Sequence, residues 1–180
     1  IEDAAHSIGA EYQHNKIGSI ADISCFSFYA TKNMTAGEGG MLVTNDKDIY
    51  ETTKIYSLHG MSKDAWKRYT AEGSPYWETL VPGYKYNMTD IQSAIGIHQL
   101  KKLDNFIAKR EEYSKMYDEA FKDFPGIILT KKISNIKHAH HLYIIMLDTD
   151  KLKINRDQFI DYLKSENIGT GIHFISLHRH

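Results

Sequence analysis

The sequence has 180 residues, of which 42% are hydrophobic, 25% charged and 12% aromatic, with a formal net charge of −1. This composition supports a folded core, and the near-neutral charge excludes the strongly basic surface of typical nucleic-acid or anionic-membrane binders. The single cysteine, Cys25, excludes an internal disulfide framework and a cysteine-rich zinc site, as is usual in a reducing, cytosolic compartment. No stretch approaches the roughly 18 apolar residues of a membrane span.

Strands and turns dominate the beginning of the chain. Apolar runs bounded by glycines predict buried strands, and Asn or Asp before a periodic segment predicts a capped helix. The predicted elements are, in order, a strand at 23–29, a turn at 37–40, a strand at 41–44, a helix from Asn45 or Asp46 to about Leu58, and a long loop at 61–83. The opening residues 1–3 are typical of the end of a strand. The last residues follow another strand-like run, so we expect a piece of a longer protein.

The second half predicts a long helix and a smaller mixed unit. A helix capped by Thr89 or Asp90 is indicated by apolar residues at helical spacing, and its periodicity continues to Pro125-Gly126. After it come a predicted strand at 140–147, a helix at 155–165 and a strand at 171–175. We therefore expect an α/β domain followed by a smaller α+β unit, with a boundary near 108–126.

A lysine and a carboxylate follow the two earliest strand candidates. Lys32 comes shortly after the buried run, with the hydroxyls of Ser27 and Thr31 and a glycine turn nearby; burial would make it a usable amine nucleophile. Asp3 and His6 follow the other strand end. Each has an ordinary alternative: Lys32 as a surface lysine in a turn, Asp3 as a cap beside a satisfied histidine. Together, however, a carboxylate for a pyridinium nitrogen and a lysine for an aldehyde indicate a pyridoxal phosphate enzyme.

Five sequence blocks in a fixed order carry a family resemblance. The blocks are Asp3–His6, Phe26–Asn33, Gly37–Gly40, Gly83–Asp90 and Gly169–Phe174. They strongly resemble the DegT/StrS family of nucleotide-sugar aminotransferases, which are fold-type I enzymes dependent on pyridoxal 5′-phosphate (PLP). The likeness is closest to the branch that makes 4-amino-4-deoxy sugars, including 4-amino-4-deoxyarabinose for lipid A.

The resemblance implies a fold and a domain division. Residues 1–108 would be the C-terminal part of the large α/β domain with the start of the connecting helix. Residues 109–180 would be the rest of that helix and part of the small α+β domain. In this family a phosphate-binding loop and a ring-stacking aromatic precede the aspartate, so the chain would hold only part of the cofactor shell.

The resemblance also implies roles for single residues. Lys32 is similar to the lysine that attaches to the cofactor aldehyde and carries the transferred proton. Asp3 is similar to the carboxylate that keeps the pyridine nitrogen protonated, and His6 to the residue that stacks on the ring. Ser27 matches the hydroxyl that binds the cofactor phosphate.

Further implied roles concern partners. Asn87 matches an asparagine that reaches the phosphate of the cofactor held by a neighbouring subunit, so a homodimer with composite sites is expected. His173 matches a position that meets the sugar nucleotide. The implied reaction is transamination of a nucleotide-linked keto sugar at C4, with glutamate as donor, in the cytoplasm, for cell-surface polysaccharide or lipid A synthesis, without nucleic acid or membrane.

Alternatives stay open at this point. A PLP-dependent sugar dehydratase of the same family would carry histidine in place of Lys32. Outside the enzymes, the chain could be a non-catalytic folded fragment or an interaction module. His138, His140 and His141 could also ligate a metal. The loop aromatics could clamp a nucleotide base or serve packing; they are Trp66, Tyr69, Tyr76 and Trp77.

Overall fold

The computed structural model describes residues 1–62 and 77–179. The chain divides into two compact units, one of Ile1–Tyr113 with Ile133–Leu142 and one of Ser114–Lys132 with Tyr143–His180. The described elements are β1 (Glu2–Asp3), β2 (Glu11–Tyr12), β3 (Asn15–Lys16), β4 (Ser24–Ser27), β5 (Gly40–Val43), α1 (Lys47–Ser57), α2 (Asp90–Leu100), α3 (Leu103–Phe121), β6 (Ile127–Leu129), β7 (Ile136–Lys137), β8 (Ile145–Leu147), α4 (Arg156–Ser165) and a 3₁₀ turn (Leu177–Arg179).

A three-stranded sheet of the order β1-β4-β5 organises the first unit. β1 runs parallel to β4, with Asp3 opposite Cys25, whereas β5 is antiparallel to β4. The strand predicted at 23–29 is present in shortened form as β4, and the strand predicted at 41–44 is present as β5, shifted by one residue. Parallel pairing brings the carboxyl ends of β1 and β4 to one edge of the sheet, where ligand sites of α/β folds usually lie.

A second small sheet of the order β3-β2-β7 belongs to the same unit. β2 and β3 form a hairpin whose turn residues Gln13 and His14 have φ of 48° and 66°. Two successive positive φ values are typical of the type I′ turn that matches strand twist. β7 pairs with the outer side of β2, and Lys137 forms an ion pair with Glu11 at 3.5 Å.

The core of the first unit lies where residues after β4 meet the start of α3. It contains Phe28, Met34, Ala36, Leu103 and Ile107, with Ile8, Phe26 and Met88 packed against it. Gly9 has φ of 79°, and a Cβ there would lie 2.2 Å from Cδ1 of Ile107. Glycine is required at that position by both the backbone conformation and the close approach.

The predicted capping signals of the helices are confirmed. Asp46 caps α1 through bonds from the backbone N–H groups of Asp48 and Ile49, and Thr89 forms a capping box with Gln92 at the start of α2. Asn155 and Gln158 form a second capping box at α4, where a helix at 155–165 is predicted. Each box satisfies otherwise unpaired N–H groups of a first helical turn.

The prediction of one long helix with one apolar face is wrong. α2 ends at Leu100, and α3 begins at Leu103. Ile91 is 76% exposed, whereas Leu103 and Ile107 are 6% and 2% exposed. Two helices of different burial therefore share one continuous helical period. The period reflects the spacing of apolar residues and does not tell which of them pack against the rest of the chain.

The second unit combines the later part of α3 with an antiparallel β6–β8 pair and α4. The predicted strand at 140–147 is reduced to β8. The strand predicted at 171–175 is wrong, since these residues are exposed and have no regular structure. A strand needs a neighbour to accept its backbone hydrogen bonds, and no such pairing at 171–175 occurs among the described residues.

Within 1–62 and 77–179, no helix has both the length and the apolar character needed to cross a membrane. The assignment of 1–108 to a large domain and 109–180 to a small domain stays a prediction.

Candidate cofactor site

Asp3 lies at the carboxyl end of β1, beside β4. The backbone ladder continues past the strand, because the N–H of Ala4 donates to the carbonyl of Cys25 at 2.9 Å. Asp3 is exposed, and its Oδ1 accepts from the N–H of Ala5 at 3.0 Å. Asp3 thus forms the local turn expected of a capping residue, and it also presents a carboxylate at the carboxyl edge of the sheet.

Ser27 and Lys32 follow on the neighbouring strand. Ser27 is the last residue of β4, and its Oγ accepts from the N–H of Tyr29 at 3.3 Å. Lys32 is half-buried, as predicted, but it lies in a turn beyond the strand rather than at the strand end. The carbonyl of Phe28 accepts from the N–H of Ala36 at 2.9 Å, which closes residues 29–35 into a loop that carries Lys32.

Asn33, which follows Lys32, makes a long-range hydrogen bond pair. It is 5% exposed; its Nδ2 donates to the carbonyl of Ala139 at 2.5 Å, and its Oδ1 lies 3.0 Å from Nδ1 of His141. The ring of His141 lies beside the ring of His6, with centroids 4.2 Å apart and planes inclined at 42°. The structure therefore connects His6 to the turn of Lys32 through His141.

Arg110 on α3 fixes the segment that carries His141. Its Nη1 donates to the carbonyls of His140 and His141, both at 3.1 Å. The sequence predicts neither the hydrogen bonds of Arg110 nor the Asn33–His141 pair. From the sequence, His141 is only a candidate metal ligand. The adjacency of Asn33 to Lys32 is the one available signal, since the partners are more than 100 residues apart in the chain.

Asn87 and His173 belong to different units of the chain. Asn87 belongs to the first unit; its Oδ1 accepts from Nζ of Lys85, and its Nδ2 donates to the carbonyl of Met88 at 3.4 Å. His173 belongs to the second unit, is exposed, and has its ring 3.8 Å from that of Phe174. The structure therefore places Asp3, His6, Ser27, Lys32 and Asn87 in one compact unit and His173 in the other.

The donor set at the sheet edge fits PLP chemically. The cofactor requires a carboxylate for its ring nitrogen, an amine for its aldehyde, a flat group against its ring and donors for its phosphate. Asp3, Lys32, His6 and Ser27 carry groups of these kinds, and Asp3 and Ser27 are the last residues of the neighbouring parallel strands β1 and β4. An α/β unit that carries these groups at one sheet edge has the arrangement expected of a fold-type I PLP enzyme.

The family is shown by the whole chain. Residues 1–180 match the model of the DegT/DnrJ/EryC1/StrS aminotransferase family, and the chain belongs to that family. Aminotransferases of this family depend on PLP. The chain has the mixed α/β fold of part of a fold-type I sugar aminotransferase, so the predicted fold class, family and cofactor type are confirmed.

Curated relatives share high identity with the chain. It is 57% identical over 180 residues to the uncharacterized protein MJ1066 of Methanocaldococcus jannaschii, and 49% identical over 181 residues to the spore coat polysaccharide biosynthesis protein SpsC of Bacillus subtilis. All of the chain is matched in both cases, against 47% and 46% of the relatives. The chain thus spans about half the length of the curated relatives that it matches.

Solved structures show the same fold. Helicobacter pylori PseC, an aminotransferase involved in the biosynthesis of pseudoaminic acid, matches with a TM-score of 0.88 and 32% identity, over 99% of this chain and 46% of PseC. The PLP form of the putative sugar aminotransferase Spr1654 from Streptococcus pneumoniae matches with a TM-score of 0.82 and 31% identity, over 96% of this chain and 43% of that one.

Two other sequence predictions concern the histidine cluster and the aromatic residues of the long loop. Nδ1 of His138 accepts from the N–H of His140 at 2.9 Å, so this nitrogen already serves the backbone. No group of three or more metal-ligating side chains is found in the described part of the chain. Of the proposed base-clamping aromatics, Trp77 is exposed, and Trp66, Tyr69 and Tyr76 lie outside the described residues.

Proposed function

We propose that the protein is a PLP-dependent aminotransferase that transfers an amino group from glutamate to C4 of a nucleotide-linked keto sugar. The observation that carries this proposal is the parallel pairing of β1 with β4, which puts Asp3 and the turn of Lys32 at one sheet edge in a chain of this family. The product would enter cell-surface polysaccharide or lipid A. A cytoplasmic location agrees with the single cysteine.

Each residue at the edge has a defined task in this proposal. When bound, PLP supplies an electron sink for the charge that develops at the reacting carbon. The amine of Lys32 takes a proton from the α-carbon of the amino donor and returns a proton to the sugar carbon that gains nitrogen. The carboxylate of Asp3 holds the proton on the ring nitrogen, because an opposite charge at short range favours the protonated form.

The remaining residues bind and orient. His6 packs against the ring face, and Ser27 donates a hydrogen bond to the phosphate. His173, on the second unit, contacts the nucleotide sugar. A sugar substrate is supported by the relatives, since SpsC is a spore coat polysaccharide biosynthesis protein and PseC acts in the biosynthesis of pseudoaminic acid.

The test uses the full-length enzyme reconstituted with PLP. We expect an absorbance band at about 400–430 nm in the wild type. In Lys32→Ala the band shifts and transamination is lost, while the circular dichroism spectrum stays unchanged. Lys16→Ala, an exposed lysine on β3, is the matched control and should keep both properties. Near wild-type turnover in Lys32→Ala would contradict the assignment, and elimination of water from the sugar without net amino transfer in the wild type would indicate a dehydratase.

Asp3→Asn separates charge from local structure. Asparagine can still accept the bond from the N–H of Ala5, so the turn is kept. We expect PLP to bind while turnover falls about 1,000-fold, because the ring nitrogen loses its proton. Asp22→Asn, another exposed aspartate of this unit, should leave the rate unchanged. If Asp3→Asn keeps the full rate, Asp3 is a structural cap only.

The proposal includes a homodimer in which Asn87 serves the cofactor of the partner subunit. A twofold axis makes such an exchange reciprocal, so two composite sites form together. Mixing Lys32→Ala subunits with Asn87→Ala subunits should restore part of the activity, since one site of the mixed dimer is intact. Absence of complementation would mean that Asn87 acts in its own subunit or not at all.

A further inference from the structure

The amide of Asn33 is held in one orientation by its two partners. The carbonyl of Ala139 can only accept, so the side-chain atom of Asn33 that meets it at 2.5 Å must be the NH₂ group. The oxygen of Asn33 then faces Nδ1 of His141 at 3.0 Å. Because this oxygen can only accept, Nδ1 of His141 must carry a proton, and a neutral His141 is therefore the Nδ1–H tautomer.

The partner segment is held from the other side. Ala139 is 2% exposed, and Arg110 donates to the carbonyls of both residues that follow it. The two ends of the Asn33 side chain thus join the loop that carries Lys32 to a segment fastened on α3. Removal of one hydrogen-bond partner costs more free energy at a buried amide than at a surface amide, because water cannot replace the lost bond.

The same histidine contacts a second residue of the candidate site. The His141 ring lies 4.2 Å from that of His6, which follows β1. One side chain therefore contacts the residue next to Lys32 and the histidine proposed to lie on the cofactor ring. This arrangement is more than a local turn, because it connects the segments that follow β1 and β4.

We infer that Asn33 and His141 are positioning residues of the aminotransferase site. Asn33 fixes the backbone from which Lys32 projects, and the Nδ1–H of His141 holds that amide while its ring sets the plane of His6. The inference rests on the proposed function, because Lys32 and His6 have their roles only there. A misplacement of about 1 Å at a reacting group costs on the order of 100-fold in rate, so the expected effects are large.

The test compares four single variants and one double variant of the full-length enzyme. His141→Phe keeps a ring beside His6 but removes the donor to Asn33. His141→Asn removes the ring but keeps a donor close to the position of Nδ1. Asn33→Ala removes both bonds of the amide. His98→Phe is the matched control, because it makes the same change at an exposed histidine of the same compact unit, on α2.

For His141→Phe and Asn33→Ala we expect kcat to fall about 10- to 100-fold with little change in KM, since Lys32 is displaced and substrate contacts are not. The double variant, which combines His141→Phe with Asn33→Ala, should lose about as much as Asn33→Ala alone, because Asn33→Ala already removes the bond that His141→Phe breaks. His141→Asn should keep a larger share of kcat than His141→Phe. His98→Phe should match the wild type.

A readout without bound cofactor completes the design. In the apoenzyme with ¹⁵N-labelled histidine, the resonances of His141 should show a protonated Nδ1 that changes in Asn33→Ala. Titration of apoenzymes with PLP should give about tenfold weaker binding for His141→Phe and Asn33→Ala.

Three results would overturn the inference. They are wild-type kcat in both His141→Phe and Asn33→Ala, strictly additive losses in the double variant, or an equal loss in His98→Phe. Failure of the proposed function is distinguishable, because it appears as retained turnover in Lys32→Ala whatever happens at Asn33.

Discussion

The two compact units are built on different kinds of contact. In the first unit, apolar side chains such as Phe28 and Ile107 are almost completely buried. In the described part of the second unit, buried apolar side chains of this kind do not occur, and its buried polar residue is Ser114. The second unit has ring contacts and polar pairs around Tyr143.

The Tyr143 cluster, formed by Tyr117, Asp118, Lys132 and Tyr143, shows what replaces an apolar core. The ring of Tyr143 stacks on that of Tyr117 at 4.8 Å, and its hydroxyl donates to Oδ1 of Asp118 at 3.0 Å. Lys132 forms an ion pair with Oδ2 of Asp118 at 2.5 Å. Burial and the Asp118 carboxylate raise the pKa of Tyr143 to about 12. A fold held in this way depends on pH and on single polar partners more than an apolar core does.

The largest predicted difference in stability between the two units is that between two phenylalanine-to-alanine substitutions. Phe28→Ala in the first unit should lower the free energy of unfolding by about 3–5 kcal/mol, because it leaves a cavity in the packed core. Phe174→Ala in the second unit should change it by less than about 0.5 kcal/mol, since Phe174 is 75% exposed. Urea unfolding of the 180-residue chain measures both. Equal losses of unfolding free energy in the two variants would show that the difference in burial between Phe28 and Phe174 does not affect stability.

The second largest predicted effect on stability is at a glycine of the second unit. Gly126 has φ of 87°, and a Cβ there would lie 2.5 Å from Cδ2 of Leu152. Gly126→Ala should therefore cost about 1–3 kcal/mol, combining backbone strain with displacement of Leu152. Gly169→Ala is the matched control, because nothing lies within 4 Å of its Cβ position. Thermal unfolding provides the check. A melting temperature of Gly126→Ala equal to that of the wild type would mean that Leu152 is not packed against residue 126.

The smallest effect concerns Tyr143 and depends on pH. Tyr143→Phe should cost about 1 kcal/mol at neutral pH through loss of one hydrogen bond to a carboxylate. Because folding raises the pKa of Tyr143 from 10.0 to about 12, the folded state holds the phenol proton more tightly than the unfolded state. The stabilisation is complete below pH 10 and disappears as pH rises towards 12.

The difference in unfolding free energy between wild type and Tyr143→Phe should accordingly narrow across that range. Denaturant unfolding of both proteins at pH 7 to 12 provides the check. Tyr162→Phe, at an exposed tyrosine of α4, is the matched control and should show no such trend. A difference that stays constant with pH would show that the Tyr143 hydroxyl does not titrate as part of this cluster.

Local chemistry by itself determined much of this protein. The caps at Asp46, Thr89 and Asn155 are readable because a capping side chain bonds to groups within its own first turn. The apolar runs that become β4 and β5 are readable because burial selects continuous hydrophobic sequence. Asp3 and Lys32 could be paired as candidates because PLP chemistry requires both groups, and the five ordered blocks led to the family.

Only the tertiary structure decided which segments found partners. Ile91 and Leu103 carry the same periodic signal, yet one is exposed and the other is in the core. Residues 171–175 have strand composition but lack a pairing neighbour among the described strands. The bond between Asn33 and His141 joins residues 108 positions apart, and no local pattern encodes such a separation. Hydrogen bonds and burial over that distance are set by how the whole unit packs, so the positions next to Lys32 became interpretable only in three dimensions.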